Sequence, residues 1–120
     1  MATFTKVHLS GSTGGQPIKI VATGSTGTTV HATGTSSSVI DEVWLYATNT
    51  DTVTRTLTIE YGGTTNPDNR IIIGLPAQSG LTICVAGLIL SGTGAAARTI
   101  TAFASAANVV NIVGYINRIS

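Results

Sequence analysis

Charge is what this sequence has least of. Only 9% of its 120 residues are Asp, Glu, Lys or Arg, and the formal net charge is +1; an ordinary globular chain carries about 25% charged residues. The six basic residues, Lys6, Lys19, Arg55, Arg70, Arg98 and Arg118, are scattered and form no run, which argues against nucleic-acid binding by phosphate neutralisation. The single cysteine, Cys84, excludes an internal disulfide. It lies in the apolar run LTICVAGLIL, with no cationic neighbour in sequence to lower its pKa, and reads as a small buried hydrophobe rather than a nucleophile. That run is the longest apolar stretch, Leu81 to Leu90, too short to span a bilayer and interrupted by Thr82 and Gly87, so no membrane partner is expected. The opening MATFTKVHLSGSTGG has no apolar core of the kind a secretion signal needs. The expectation is a chain made in a cytoplasm and not exported by that route.

Glycine, alanine, serine and threonine stand where lysine and glutamate normally do, and mean hydropathy is positive at +0.37. Such a surface is soluble but repels its neighbours weakly. It suits a chain that works against other protein. A length of 120 residues fits one domain with a real core.

Helical periodicity with caps is also missing. Glycine-rich and polar clusters divide the chain into short alternating or apolar segments. Strands are predicted near Lys6–Ser10, Pro17–Thr23, Thr28–Thr33, Val39–Ala47, Val53–Tyr61, Arg70–Leu75, Leu81–Leu90, Arg98–Ala104 and Val109–Arg118. GSTGG, GSTG, GTSSS, NTD, GGTTNPD, PAQSG and SGTGAA supply turn chemistry between them. The alanine-rich TAFASAANVV is read as strand, turn around Ala106–Asn108, and strand. The fold class is therefore all-β, an antiparallel two-sheet sandwich, jelly-roll-like before immunoglobulin-like. Residues 1–38, rich in Gly, Ser and Thr, read as an extended N-terminal arm with the first short strands, held by its own sheet or by a neighbouring subunit; 39–120 form the sandwich body.

Around Asn49-Thr50-Asp51 the pattern predicts an antiparallel hairpin, DEVWLYAT into the turn and VTRTLTIEY out of it. On the second strand Val53, Leu57, Ile59 and Tyr61 should face the core and the alternate threonines solvent or a partner. Arg55 shares the inner parity and should lie near an edge, its head reaching water or a carboxylate. On the first strand Trp44 and Tyr46 share one face, and Val43, Leu45 and Ala47 the other. Both faces are apolar, as in a strand buried on both sides or covered by a partner.

Catalytic and cofactor signatures are weak. Asp41 and Glu42 are adjacent, so a strand points them to opposite faces, and they read as a solvated strand entrance rather than a convergent acid–base pair. Two histidines, His8 and His31, fall short of the three or four ligands a zinc site needs. The glycine loops lack the GK[ST] ending of phosphate loops and no GxSxG motif is present. No enzyme activity, cofactor or metal is expected. The alternate threonines are similar to the ranks of ice-binding β-proteins, but no internal repeat supports that reading. Phe4, Lys6, His8, His31, Trp44 and Tyr46 are the candidate interface residues, with His31 on a strand face at a subunit contact.

Three stretches together, GSTGGQPIKIVATGSTGTTVHATG, VWLYATNTDTVTRTLTIEYGG and LPAQSGLTICVAGLILSGTGAAARTITAFASAANVVNIVGYINRI, resemble small virion proteins of tailed bacteriophages, the head decoration (cement) type and related β-sandwich tail and fibre modules. The resemblance implies a jelly-roll-like fold, a homotrimer and attachment to the outside of a capsid at contacts between major capsid proteins. A tail or fibre module, or a carbohydrate-binding sandwich using Trp44 and Tyr46, are the alternatives.

Overall fold

The computed structural model describes residues 2–120 and contains nine strands and no helix among them. They are β1 (Phe4–His8), β2 (Ile18–Lys19), β3 (Thr28–Ala32), β4 (Ile40–Asn49), β5 (Arg55–Tyr61), β6 (Arg70–Leu75), β7 (Thr82–Ser91), β8 (Thr99–Ala104) and β9 (Val110–Ile119). Each predicted strand is present, and the alanine-rich segment is strand, turn and strand as expected, with Asn108 at positive φ in the turn.

Every pairing is antiparallel. Sheet A runs β1-β9-β4-β7, with β2 also on β9; sheet B runs β3-β8-β5-β6. The pairs β1·β9, β3·β8, β4·β7 and β5·β6 set the first half of the chain against the second, outermost strand with outermost. That is a long two-stranded ribbon rolled into two facing sheets, the topology of a jelly roll. β2 is an addition to it.

The strand period of two puts alternate residues into the space between the sheets. Val43, Leu45 and Ala47 of β4 and Ile112 and Ile116 of β9 meet Leu57 and Ile59 of β5 and Ile100 and Ala102 of β8, all buried in one cluster. Each buried aliphatic side chain contributes about 1.5–3 kcal/mol, before the entropy of ordering it is subtracted.

The expected β4–β5 hairpin does not form. Asn49-Thr50-Asp51 turns the chain, but from one sheet to the other. β4 is apolar on both faces and already has ten-residue strands, β7 and β9, on its two edges, which leaves no place for β5. The buried Asn49 fixes the crossing: its amide donates to the carbonyls of Val53, Leu75 and Pro76, and its oxygen accepts the Asp51 N–H. β5 starts only at Arg55, so Val53 is exposed rather than inward. Arg55 reaches Asp51, as an edge arginine should.

The N-terminal segment is held by its own sheets. β1 and β2 lie on β9, β3 lies on β8, and Leu9, Ile18, Ile20 and Val30 enter the core. Of the two expected holders of this stretch, its own sheets hold residues 4–32. Met1 lies outside the described residues.

Candidate interaction face

The register of sheet A decides which side chains share its outer face. His8 on β1 pairs with Tyr115 on β9, which pairs with Trp44 on β4, which pairs with Ala86 on β7. The row on one side runs Lys6, Asn117, Glu42, Ile89, and the next begins Phe4, Ile119, Ile40. On the other side Tyr46 lies between Val113 and Ile83. Five of the six candidate residues, Phe4, Lys6, His8, Trp44 and Tyr46, thus come together on one face although His8 and Tyr46 are 38 positions apart in sequence. Tyr115, Ile83 and Ile89 complete the face and were not singled out from the sequence. Their signal was available: Tyr115 has the alternating parity of β9, and both isoleucines lie in the apolar run.

The centre of the face is aromatic. Trp44 and Tyr115 lie with ring centroids 6.1 Å apart and planes within 8°. The Lys6 ammonium is 5.1 Å from the Tyr115 centroid, a cation–π contact. The Trp44 indole N–H donates to the Glu42 carboxylate at 2.8 Å. On its far side the indole covers Gly87, where a Cβ would come within 3.0 Å of the ring and φ is +79°. Gly87 is the extra residue of a bulge opposite Val43 and Trp44. A shallow groove of about 220 Å³ adjoins the face, lined by Ser37, Ile40, Ile89, Leu90 and Ser91.

His31 is not on this face. It points between the sheets, 1% exposed, and its Nε2 lies 2.8 Å from Asp41 Oδ2. Asp41 is equally buried, not at a solvated entrance, because Arg118 supplies it with a compensating charge: Nε at 2.7 Å from Oδ1 and Nη2 at 3.0 Å from Oδ2. The Ser10 backbone N–H donates to His31 Nδ1 at 3.0 Å. That bond fixes the tautomer, with the proton on Nε2 facing Asp41. Burial pushes the imidazole below its ordinary 6.5, helped by the Arg118 charge and opposed by Asp41. Burial pushes the Asp41 carboxyl up, but hydrogen bonds from Arg118 and His31 overcome it and hold the group below its ordinary range.

Both imidazole nitrogens are engaged, and the Ser10 hydroxyl already accepts the Ala32 N–H at 2.7 Å. The cluster has no free base beside a free nucleophile; it ties the β1–β2 loop, β3, β4 and β9 together. A second buried carboxylate, Glu60, accepts from Ser25 Oγ, Gly27 N–H and Thr101 Oγ, and holds the β2–β3 loop against the outer side of sheet B. Among the described residues no three His, Cys, Asp or Glu side chains group as metal ligands. Cys84 is half-buried, and burial pushes its thiol up to about 11.

Comparison with known proteins finds no counterpart: no family model, no curated protein and no solved structure matches the chain.

Proposed function

We propose that this chain is a structural protein of a bacteriophage particle, a decoration protein that attaches to the capsid surface through the outer face of sheet A. One observation carries the reading: the two largest faces of the sandwich are unequal. The outer side of sheet B is partly covered by the chain's own β2–β3 loop and exposes the single isoleucine Ile72, whereas the outer side of sheet A joins the stacked Trp44 and Tyr115 to the exposed Phe4, Ile83 and Ile89. A surface of this kind marks a protein contact. The partner is the major capsid protein, at contacts between its copies, and the protein is made in the host cytoplasm and ends in the virion.

Attachment would come from apolar burial and shape rather than salt bridges. Each copy makes a modest contact, and many copies on a symmetric shell add their contacts. Co-sedimentation with shells of the phage that encodes the chain tests the reading. Binding should persist in about 1 M salt, where exposed charge pairs are screened, and Phe4→Ser with Ile89→Ser should weaken it roughly tenfold or more. Release by moderate salt, or binding indifferent to both substitutions, would refute it.

One feature favours a second reading, a carbohydrate-binding sandwich. The parallel Trp44 and Tyr115 rings are flanked on the same face by Glu42, Asn117 and Lys6, which offer the donors and acceptors a sugar ring needs. Quenching of the single tryptophan by sugars, with a matching hit on a glycan array, would choose this reading over the first.

A further inference from the structure

β7 is an edge strand with the composition of a central one. It pairs only with β4, and its other side carries no strand. Leu81 to Leu90 holds no charged residue and no proline, two of the devices by which natural sheets protect an edge; a third, the bulge, is present at Gly87. It is apolar on both faces. Ile83 and Ile89 lie on the outer face with Tyr46 and Glu42, at 61% and 62% exposure. Leu88 lies opposite Val43, on the inward side, and is still 49% exposed, so β7 overhangs the opposing sheet. Leu81 adds a fourth apolar side chain at 64%. A strand apolar on both faces belongs between two neighbours, and here one neighbour is missing. The other edges differ: β1 carries Lys6 and His8, β6 carries Arg70, and β3 is only five residues long, whereas β7, despite two register shifts against β4, runs ten residues without a charge.

We propose that the missing neighbour is β7 of a second copy, paired antiparallel across a two-fold axis so that sheet A runs continuously through a dimer. A second copy presents the same unmet backbone groups and the same uncharged side chains, and an isologous contact satisfies both copies at once. Edge pairing covers the flanks of these four side chains and the strand backbones, at most about 1,000 Å² in total, the small end of specific interfaces, so the dimer should dissociate on dilution. Within the ten-residue strand, about every second residue turns its N–H and C=O to the free side and can join the ladder. The two aromatic faces would then lie side by side on one extended surface. This pairing stands apart from the shell-binding reading and does not require it.

Sedimentation equilibrium on the purified chain, with Ile83→Lys, Ile89→Lys and the control Ile72→Lys on β6, tests the proposal. All three side chains are exposed, so the folds should survive, which far-ultraviolet circular dichroism checks. The wild type and Ile72→Lys should be dimers. Each β7 substitution enters the contact twice and should raise the dimer dissociation constant roughly a hundredfold. Hydrogen exchange of wild type across a dilution series gives a reading free of mutants: β7 amides should lose protection as the dimer dissociates, and β6 amides should not. A monomer at all concentrations, a trimer, an open-ended series of larger species, or a dimer indifferent to both β7 substitutions would overturn the proposal. A monomer whose β7 variants fail to bind shells would assign the edge to a strand of the shell protein instead.

Discussion

Replacing Asp41 by asparagine should destabilise the fold far more than the loss of one charge on a surface would. The reason is geometric. Ser10 N–H occupies His31 Nδ1, so His31 must present its Nε2 proton to residue 41. Arg118 presents two further N–H groups to the same side chain. Aspartate accepts from both sides. Asparagine has one accepting oxygen: at the Oδ1 position it accepts only from Arg118 Nε and sets its amide donors against the His31 proton and Arg118 Nη2, and at the Oδ2 position it keeps those two but sets its amide against Arg118 Nε. Either way a donor is left facing the amide and a charge-assisted bond is lost, along with the carboxylate that compensated Arg118, which together cost about 3–5 kcal/mol. Arg118 is one-third exposed and can recover part of its loss from water, so about 4 kcal/mol is the working figure. With an unfolding entropy of about 2.1 cal/mol/K per residue, a chain of 120 residues should melt about 16 °C lower. Thermal and urea denaturation of Asp41→Asn measure this, with Asp51→Asn as control. Asp51 pairs with Arg55 at the surface, and its loss should leave melting near the wild-type value. If Asp41→Asn melts within about 3 °C of wild type, the cluster is not the clip described here.

The same histidine gives a pH dependence with a definite sign. Its folded pKa lies below the unfolded 6.5, so the unfolded chain binds more protons between the two values; its contribution is complete above about pH 6.5 and declines as pH falls through that value toward the folded pKa. Melting temperature against pH should show this slope in wild type and lose it in His31→Asn. Gly87→Ala places a methyl within 3.0 Å of the Trp44 indole at a φ of +79°, and should cost about 1–3 kcal/mol and change the emission of the only tryptophan; fluorescence-detected denaturation reads both. With its thiol pushed up to about 11, Cys84 in the native protein should react with a thiol-specific reagent at neutral pH roughly a hundredfold more slowly than in urea.

Strand positions were legible because they depend on short-range signals: alternation, β-branched residues and glycine-bounded turns. The face shared by Phe4, Lys6, His8, Trp44 and Tyr46 was legible as residues but not as a surface, since β9 had to be placed between β1 and β4 first. Sheet assignment was harder. Asn49-Thr50-Asp51 has turn chemistry whether the chain doubles back or crosses, and only competition for the edges of β4 decides between them. The buried carboxylates carried a local sign that went unused. The parity that places Val43, Leu45 and Ala47 inward places Asp41 inward as well. Glu60 likewise follows Thr56 and Thr58 on the side of sheet B that the β2–β3 loop covers. What no local pattern reveals is the partner: Arg118 is 77 positions from Asp41, and Thr101 is 41 from Glu60.

The placement of the acids alters the meaning of the low charge. Asp41 and Glu60 are buried with their partners, Asp51 binds Arg55, and Glu42 accepts the Trp44 indole proton. Among the described residues Asp68 alone makes no side-chain hydrogen bond of this kind. Two of the six basic residues, Arg55 and Arg118, are tied up in the same contacts, and Arg98 donates to the carbonyls of Ser91 and Gly92. A chain with only 11 charged residues therefore gives four of its five carboxylates a side-chain partner and buries two of them, Asp41 and Glu60, as cross-links between strands, and the field left at its surface is weaker than the composition alone suggests. Weak self-repulsion and an uncharged β7 edge act in the same direction. Each lowers the cost of bringing apolar protein surface against sheet A.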